Sequence, residues 1–347
     1  MKALVYHGPT KISWDEVPMP KIIDQSDAII KVDITTICGT DLHILKGDTP
    51  EVKEGRILGH EAVGTVQEVG TSVSNLKVGD RVLVSCVSAC GSCRYCREMH
   101  FGQCLNGGGW ILGYMIDGTQ AEYVRVPFAD HSTYAIPEGV ADEEILMLAD
   151  ILPTAYEVGV INGKVQPGDV VAIIGAGPIG LSAILSSKLL SPSCIISIDL
   201  IDARLEAAKR FGADITINSS REDPLEIVRK LTEDLGVDVA IVAVGITDTF
   251  ELATTLIRPG GHIANVGVHG KPATLHLETL WSKNVSITTG LVDTYSTPTL
   301  LKLTKNHQIE VDQFITHHFE MENMIDAYDT FARAGETGAL KVVITQK

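Results

Sequence analysis

Residues 168–180 constrain the fold of this chain more than any other stretch. Val170-Val-Ala-Ile-Ile174 is an unbroken apolar run, the pattern of a parallel strand buried on both faces. It leads directly into Gly175-Ala-Gly-Pro-Ile-Gly180 and a helical pattern from Pro178 to about Leu190. On its own G-x-G-x-x-G is a weak signal; between a strand and a helix it is a strong dinucleotide signature. Gly175 makes the tight turn, Gly177 lets a pyrophosphate approach the backbone, and Gly180 lets helix and strand pack closely. The helix start at Pro178 and Ile179 offers free N–H groups and the positive end of the helix dipole to phosphates. Nineteen residues beyond Gly180 stands Asp199, at the end of the next apolar run. A carboxylate there accepts hydrogen bonds from ribose hydroxyls and repels a 2′-phosphate, so NAD is expected over NADP. Arg204 is the complication, a nearby guanidinium able to tolerate that phosphate.

The alternation continues. A strand at Ile195–Asp199 is followed by a helix at Asp202–Phe211, a strand at Asp214–Ile217 and a helix from Pro224 to about Leu235. Then come a strand at Asp238–Val244, a helix from Thr247 to about Ile257, a strand at His262–Val266 and a sixth strand at Val285–Thr288. Strands alternating with helices predict an α/β, doubly wound parallel sheet of the Rossmann type. The first 150 residues or so read differently, as short strands punctuated by glycine, such as Ala28–Ile34, Gly64–Val69 and Asp80–Val84. The last fifty or so lose the alternation and are expected to rejoin the first domain. The expected domains are therefore 1–152, 153–294 and a carboxy-terminal segment 295–347, with the last boundary near Tyr295.

Cys90, Cys93, Cys96 and Cys104 are spaced C-x2-C-x2-C-x7-C, with Gly91, Gly102 and Gly107 to Gly109 among and after them. Four thiols so close in sequence converge only on something small, and they suit a tetrahedral Zn²⁺. The rival reading, a disulfide-stapled loop, needs an oxidising compartment. The segment Met1–His7 lacks the charged-then-apolar pattern of a secretory leader, and seven cysteines, an odd number, fit a reducing cytoplasm. A closed four-sulfur site leaves no position open for chemistry, so function is expected elsewhere. With 28 basic against 44 acidic residues the net charge is −16, which disfavours nucleic acid and anionic lipid as partners. No apolar run reaches the roughly twenty residues needed to cross a bilayer.

Two further motifs lie outside the lobe: Cys38-Gly-Thr-Asp-Leu-His43 and Gly59-His-Glu61. A buried thiolate and an imidazole make half of a catalytic zinc shell; taken singly, Cys38 reads as a small buried hydrophobe and His60 as a turn histidine. Together with the lobe, with Asp150 twenty-five residues before Gly175, and with Gly175 to Gly180, they change that weighting. In the order and spacing of these elements the chain resembles the zinc-dependent medium-chain alcohol dehydrogenase family over essentially its full length, and most of all the bacterial secondary alcohol dehydrogenases.

The resemblance implies a GroES-like barrel for the first domain, with substrate and nicotinamide meeting between the domains. It implies two zinc ions per subunit: a catalytic one on Cys38, His60 and Asp150, and a structural one on the four lobe cysteines. It gives Glu61 a place behind the catalytic metal, and Thr40 and His43 a proton relay. Val266 and Val268 are expected at the nicotinamide carboxamide, and Lys341 near the pyrophosphate, with a solvated surface lysine about as plausible. Trp110 and Leu291 are expected as walls of the substrate pocket. The implied activity is reversible, NAD-dependent oxidation of a small, secondary alcohol to a ketone or aldehyde. The alternative is a polyol or diol dehydrogenase, against which an aspartate rather than a glutamate third ligand argues. A zinc module that has lost catalysis would lack one of Cys38, Thr40, His43, His60 or Asp150, and a zinc-free reductase would lack both clusters. The family also implies a homotetramer or homodimer, for which the sixth strand offers an edge. Cys86 and Cys194 read as inert buried thiols, His100 as a weaker competitor of Cys104, and His317 and His318 as surface residues.

Overall fold

The computed structural model describes residues 1–346, so Lys347, the last residue of the expected 295–347 segment, lies outside the described residues. The chain divides into two compact units, one of Met1–Asp150 with Asp293–Lys347, the other of Ile151–Val292.

The second unit is a six-stranded, all-parallel sheet in the order Ile215–Asn218, Cys194–Asp199, Val170–Ile174, Val237–Val242, Ile257–Asn265, Ser286–Thr289. Numbered along the chain this is 3-2-1-4-5-6, the doubly wound arrangement. Its core joins Ala172, Ile174, Ile196, Ile198, Ala240 and Val242, the residues that gave each strand its continuous apolar character.

Two boundaries differ most from the sequence reading. The helix that begins at Pro224 is capped by Asp223, whose side chain accepts from Leu225 N at 2.9 Å. It ends at Leu231 rather than about Leu235, because Glu233 and Asp234 take positive φ angles of 52° and 65° that no right-handed helix accommodates. The Thr232 hydroxyl closes the turn, donating to Val228 O and accepting from Gly236 N. The fifth strand begins at Ile257, not His262: Pro259-Gly260-Gly261, which reads as a turn, forms an irregularity where pairing jumps from Val237↔Ile257 to Val239↔His262.

The first unit is built on a seven-stranded sheet in the order Ile315–Glu320, Lys341–Thr345, Ala28–Thr36, Ala62–Val69, Arg81–Val84, Thr133–Ala135, with Tyr123–Val126 also paired to Ala28–Thr36. All neighbours are antiparallel except the first two. Leu4, Ile30, Val66, Val84, Val126 and Ile344 are among its core residues. Three consequences of this topology build the site. Ala28–Thr36 runs into Cys38; Ala62–Val69 starts just after His60 and Glu61; and the register Thr35↔Ala62 puts those two segments side by side. Arg81–Val84 leads to Cys86, whose N–H donates to Ala149 O at 3.1 Å, one residue before Asp150.

Candidate metal centres and dinucleotide loop

Cys38 caps the helix Gly39–Lys46, and Asp150 follows the short turn Met147–Ala149 with φ −145° and ψ −70°. Ligand atoms of Cys38, His60, Glu61 and Asp150 lie within 4.8 Å of one another. Asp150 Oδ2 is 3.5 Å from Cys38 Sγ and 3.3 Å from His60 Nε2. A tetrahedral zinc with bonds of about 2.0–2.3 Å sets sulfur and oxygen ligands about 3.5 Å apart, and nitrogen and oxygen ligands about 3.3 Å apart. The donor set therefore fits the ion in spacing as well as in chemistry. The electrostatics agree. Burial raises the pKa of Cys38, with the charge of Asp150 adding to it, and burial likewise raises Asp41 and Glu61. Burial opposes a charged His60, but hydrogen bonds to Asp150 and Cys38 and the Asp41 carboxylate outweigh it and raise its pKa well above the usual value. A buried group of acids crowded this closely calls for a cation.

The four lobe sulfurs also lie within 4.8 Å of one another. Cys90 Sγ and Cys96 Sγ are 3.8 Å apart, against about 3.8 Å for two thiolates on one tetrahedral zinc. Their negative charge is met locally: Cys93 N and Asn106 Nδ2 donate to Cys90 Sγ, Leu105 N to Cys93 Sγ, and Cys90 N to Cys104 Sγ. His100 turns away, with its Nδ1 3.3 Å from Asp293 Oδ2.

In the second unit Gly175 sits at φ +99°, and a Cβ on Gly180 would collide with the Gly175 carbonyl oxygen. A Cβ on Gly177 would meet nothing within 4 Å, which leaves room at the start of helix Pro178–Lys188. Asp199 is 8% exposed; its oxygens accept from Ala176 N at 2.7 Å and Ile201 N at 2.9 Å. A carboxylate has about four lone-pair sites, so acceptor capacity remains for ribose hydroxyls. Arg204 Nη1 stands 3.9 Å from Asp199 Oδ2. The loop and its aspartate fit a dinucleotide.

Comparison with known proteins agrees. Residues 24–138 match the alcohol dehydrogenase GroES-like domain and residues 178–306 the zinc-binding dehydrogenase domain. An alcohol dehydrogenase of Cupriavidus necator is 35% identical, covering 99% of this chain and 98% of its own. The solved zinc-dependent alcohol dehydrogenase 2 from Streptococcus pneumonia superposes with a TM-score of 0.96 at 48% identity, over 100% and 99% of the two chains. An alcohol dehydrogenase of Escherichia coli CFT073, crystallised with NADH, gives 0.88 at 30% identity over 99% of each. The chain belongs to the zinc-dependent medium-chain alcohol dehydrogenase family. It is an oxidoreductase with a GroES-like and a Rossmann-like domain, and small-molecule alcohols are the substrates this family implies.

Other expected residues fall as follows. Thr40 joins the first cluster, its Oγ1 3.7 Å from Cys38 Sγ. His43 lies on the same helix, solvent-exposed, with Nδ1 2.8 Å from Asp48 Oδ2. Trp110 stands edge-on to His60 at 6.2 Å between ring centroids and stacks on Tyr114 at 4.6 Å. Leu291 is in the other unit, 44% exposed. Val266 N donates to Val242 O at the tip of its strand, and Val268 is 70% exposed. His318 is an exposed partner of Glu143, and His317 lies on the same strand. Cys194 opens its strand half-buried.

One expectation needs correction. Lys341 is not a surface lysine: it is 1% exposed, and its ammonium lies 2.8 and 3.1 Å from the two Glu61 oxygens and 3.2 Å from Ile37 O. An ammonium buried this deeply is kept charged only by a carboxylate beside it. Cys86 is buried as expected, and its sulfur is 3.7 Å from Asp150 Oδ1. Burial, followed by the nearby carboxylates, pushes this thiol well up.

Sequence reasoning gave no role to Asp41 or Gln120. Asp41 Oδ2 accepts from Cys38 N at 2.9 Å and from Gln120 Nε2 at 3.1 Å, and its Oδ1 is 3.7 Å from His60 Nδ1. Gln120 Oε1 in turn accepts from Tyr328 OH at 2.7 Å. Such outer hydrogen bonds fix the orientation of metal-ligating side chains. A carboxylate three residues into a cysteine-capped helix was a readable signal for Asp41; nothing local marks Gln120. The backbone here needs glycine as well: Gly59 sits at φ +90°, and a Cβ on it would lie 2.6 Å from Gln120 Cγ.

Proposed function

We propose that the protein is an NAD-dependent alcohol dehydrogenase that interconverts small secondary alcohols and ketones, with a catalytic zinc on Cys38, His60 and Asp150 and a structural zinc on Cys90, Cys93, Cys96 and Cys104. The observation that carries the reading is the mixed, buried to half-buried donor set whose fourth candidate, Glu61, is held by Lys341. Three protein ligands then leave one position open, the hallmark of a catalytic zinc.

A zinc held by Cys38, His60 and Asp150 would polarise the alcohol or carbonyl oxygen, and a bound nicotinamide would exchange hydride with the carbon. The chain supplies the rest. The Asp41 carboxylate faces His60, and Lys341 pairs with both oxygens of Glu61. The Thr40 hydroxyl accepts the substrate's hydroxyl proton and passes it on. Asp48 is an acceptor, so His43 Nδ1 carries the proton of their hydrogen bond and leaves Nε2 as the acceptor that delivers the relayed proton to solvent. Asp199 orients the adenosine ribose, with Val266 and Val268 at the nicotinamide end. Trp110 supplies an apolar wall against His60.

The NADH-bound relative and Asp199 support NAD as the cofactor. Association into a homodimer or homotetramer is supported by the edge strand Ser286–Thr289, with exposed Ile287 on it and exposed Trp281 just before it. No described helix is long and apolar enough to cross a membrane, and seven unpaired cysteines suit the cytoplasm. The test is the initial rate of NAD⁺ reduction by zinc-replete protein with 2-butanol and 1-butanol side by side. A preference for 2-butanol is expected. Preference for 1-butanol moves the assignment to primary alcohols, and no rate with either, followed by turnover of a diol or polyol, overturns it.

A further inference from the structure

We propose that the Cys86 thiol is a positioning donor for Asp150, holding the outer oxygen of that carboxylate so that a metal receives only the inner one. The proposal rests on the reading of Cys38, His60 and Asp150 as a metal-binding set.

The two oxygens of Asp150 have separate surroundings. Oδ2 faces Cys38 Sγ at 3.5 Å and His60 Nε2 at 3.3 Å, whereas Oδ1 faces Cys86 Sγ at 3.7 Å. Cys86 grips the same segment twice, because its backbone N–H donates to Ala149 O. It is 4% exposed, has no disulfide partner, and is not one of the four residues whose ligand atoms converge within 4.8 Å. A carboxylate is able to offer one oxygen or both. A zinc that keeps a place for substrate takes one short bond from each of three protein ligands, so a carboxylate swinging to bidentate binding would crowd that place. A donor on Oδ1 prevents the swing, and outer-sphere hydrogen bonds of this kind are a general means of tuning metal ligands. A thiol serves well, because it is a small, largely apolar group with a single weak donor.

The experiment compares wild type, Cys86→Ala, Cys86→Val and Cys86→Ser as full-length holoenzymes, each with zinc in the lobe and cobalt at the exchangeable site. It reads metal retention against graded chelator and the visible cobalt spectrum. Loss of the donor is expected to weaken retention about 10- to 100-fold in Cys86→Ala and Cys86→Val and to shift the ligand-field bands. Cys86→Ser, a shorter but stronger donor, recovers most of the difference. The sulfur-to-cobalt charge-transfer intensity stays constant throughout, since Cys38 supplies the only thiolate. Retention in Cys86→Ala equal to wild type overturns the proposal, as does equal impairment in Ala, Val and Ser variants, which would mark a packing role. Loss of charge-transfer intensity in the Ser variant overturns it too, by making Cys86 a ligand. A wild-type protein that binds metal only in the lobe overturns the underlying site reading, and does so before any substitution is made.

Discussion

The lobe draws all four sulfurs from residues 90–104, whereas the Cys38 cluster gathers its donors from three segments between residues 38 and 150. The lobe uses one ligand type and meets its charge with N–H groups of its own loop. The cluster mixes thiol, imidazole and carboxylate, buries them wholly or in part, and surrounds them with Asp41, Gln120, Lys341 and Cys86, which come from four separate segments. A closed, local site is organised by its ion; an open, mixed site is organised by the strands that carry it. The lobe should therefore matter most to stability and the cluster most to turnover.

The sharpest way to break this contrast is a pair of substitutions. Cys38→Ala is expected to cut turnover on the order of 10³-fold or more, as loss of several kcal/mol of metal assistance requires, with a melting temperature within a few degrees of wild type. Cys104→Ala should instead lower the melting temperature by about 5–10 °C, since a structural zinc contributes folding energy outright. Turnover and calorimetry on both variants decide, and the contrast fails should Cys38→Ala be the less stable of the two.

Thr40→Ala comes next. Removing the proposed first proton acceptor should lower turnover by about 10²–10³-fold with the metal content unchanged, measured by metal analysis beside kinetics. Unchanged turnover would end the relay.

Thiol reactivity probes the same difference without mutation. In metal-stripped protein Cys90 is lowered to about 6: burial opposes the shift, and hydrogen bonds from Ser92, Cys93 and Cys104 overcome it. Burial instead raises Cys38 above the ordinary thiol value of 9.0. A thiolate forms as pH rises through the pKa, so at pH 7 Cys90 is mostly thiolate and Cys38 almost wholly thiol. Alkylation followed by peptide mapping should label Cys90 roughly 10-fold or more faster, since the more basic thiolate regains part of the difference through greater nucleophilicity. Equal rates at pH 7 would show the cluster to be far less buried than it is here.

The dinucleotide loop lies between the two extremes, a local motif completed by one residue from the next strand. Asp199→Gly should lower the ratio of NAD to NADP specificity constants about 10-fold, the effect of one charge-assisted hydrogen bond; an unchanged ratio would detach Asp199 from cofactor choice.

Legibility in the sequence follows the same division. The parallel sheet was readable because burial on both faces leaves an apolar run without alternation, as in Val170–Ile174, and the lobe because its spacing is its geometry. Cys38, His60 and Asp150 became readable together only through resemblance, since their meeting depends on the register Thr35↔Ala62 and on the turn before Asp150. The burial of Lys341 and the partner of Cys86 went unread for one reason. Each lies in an apolar stretch where a lysine or a cysteine has a bland reading, and only the pairing of distant strands brings Lys341 to Glu61 and Cys86 to Asp150.

Glu61 and Lys341 are 280 residues apart in sequence, and the strand that carries Lys341 pairs antiparallel with Ala28–Thr36. During synthesis this metal pocket is thus held incomplete while the whole inserted unit, Ile151–Val292, is being made. Contacts of such long range form late, and an unpaired strand edge is exposed until they do. A nascent chain interrupted anywhere before the Lys341–Thr345 strand would present Glu61 without its counter-charge, unable to finish the pocket.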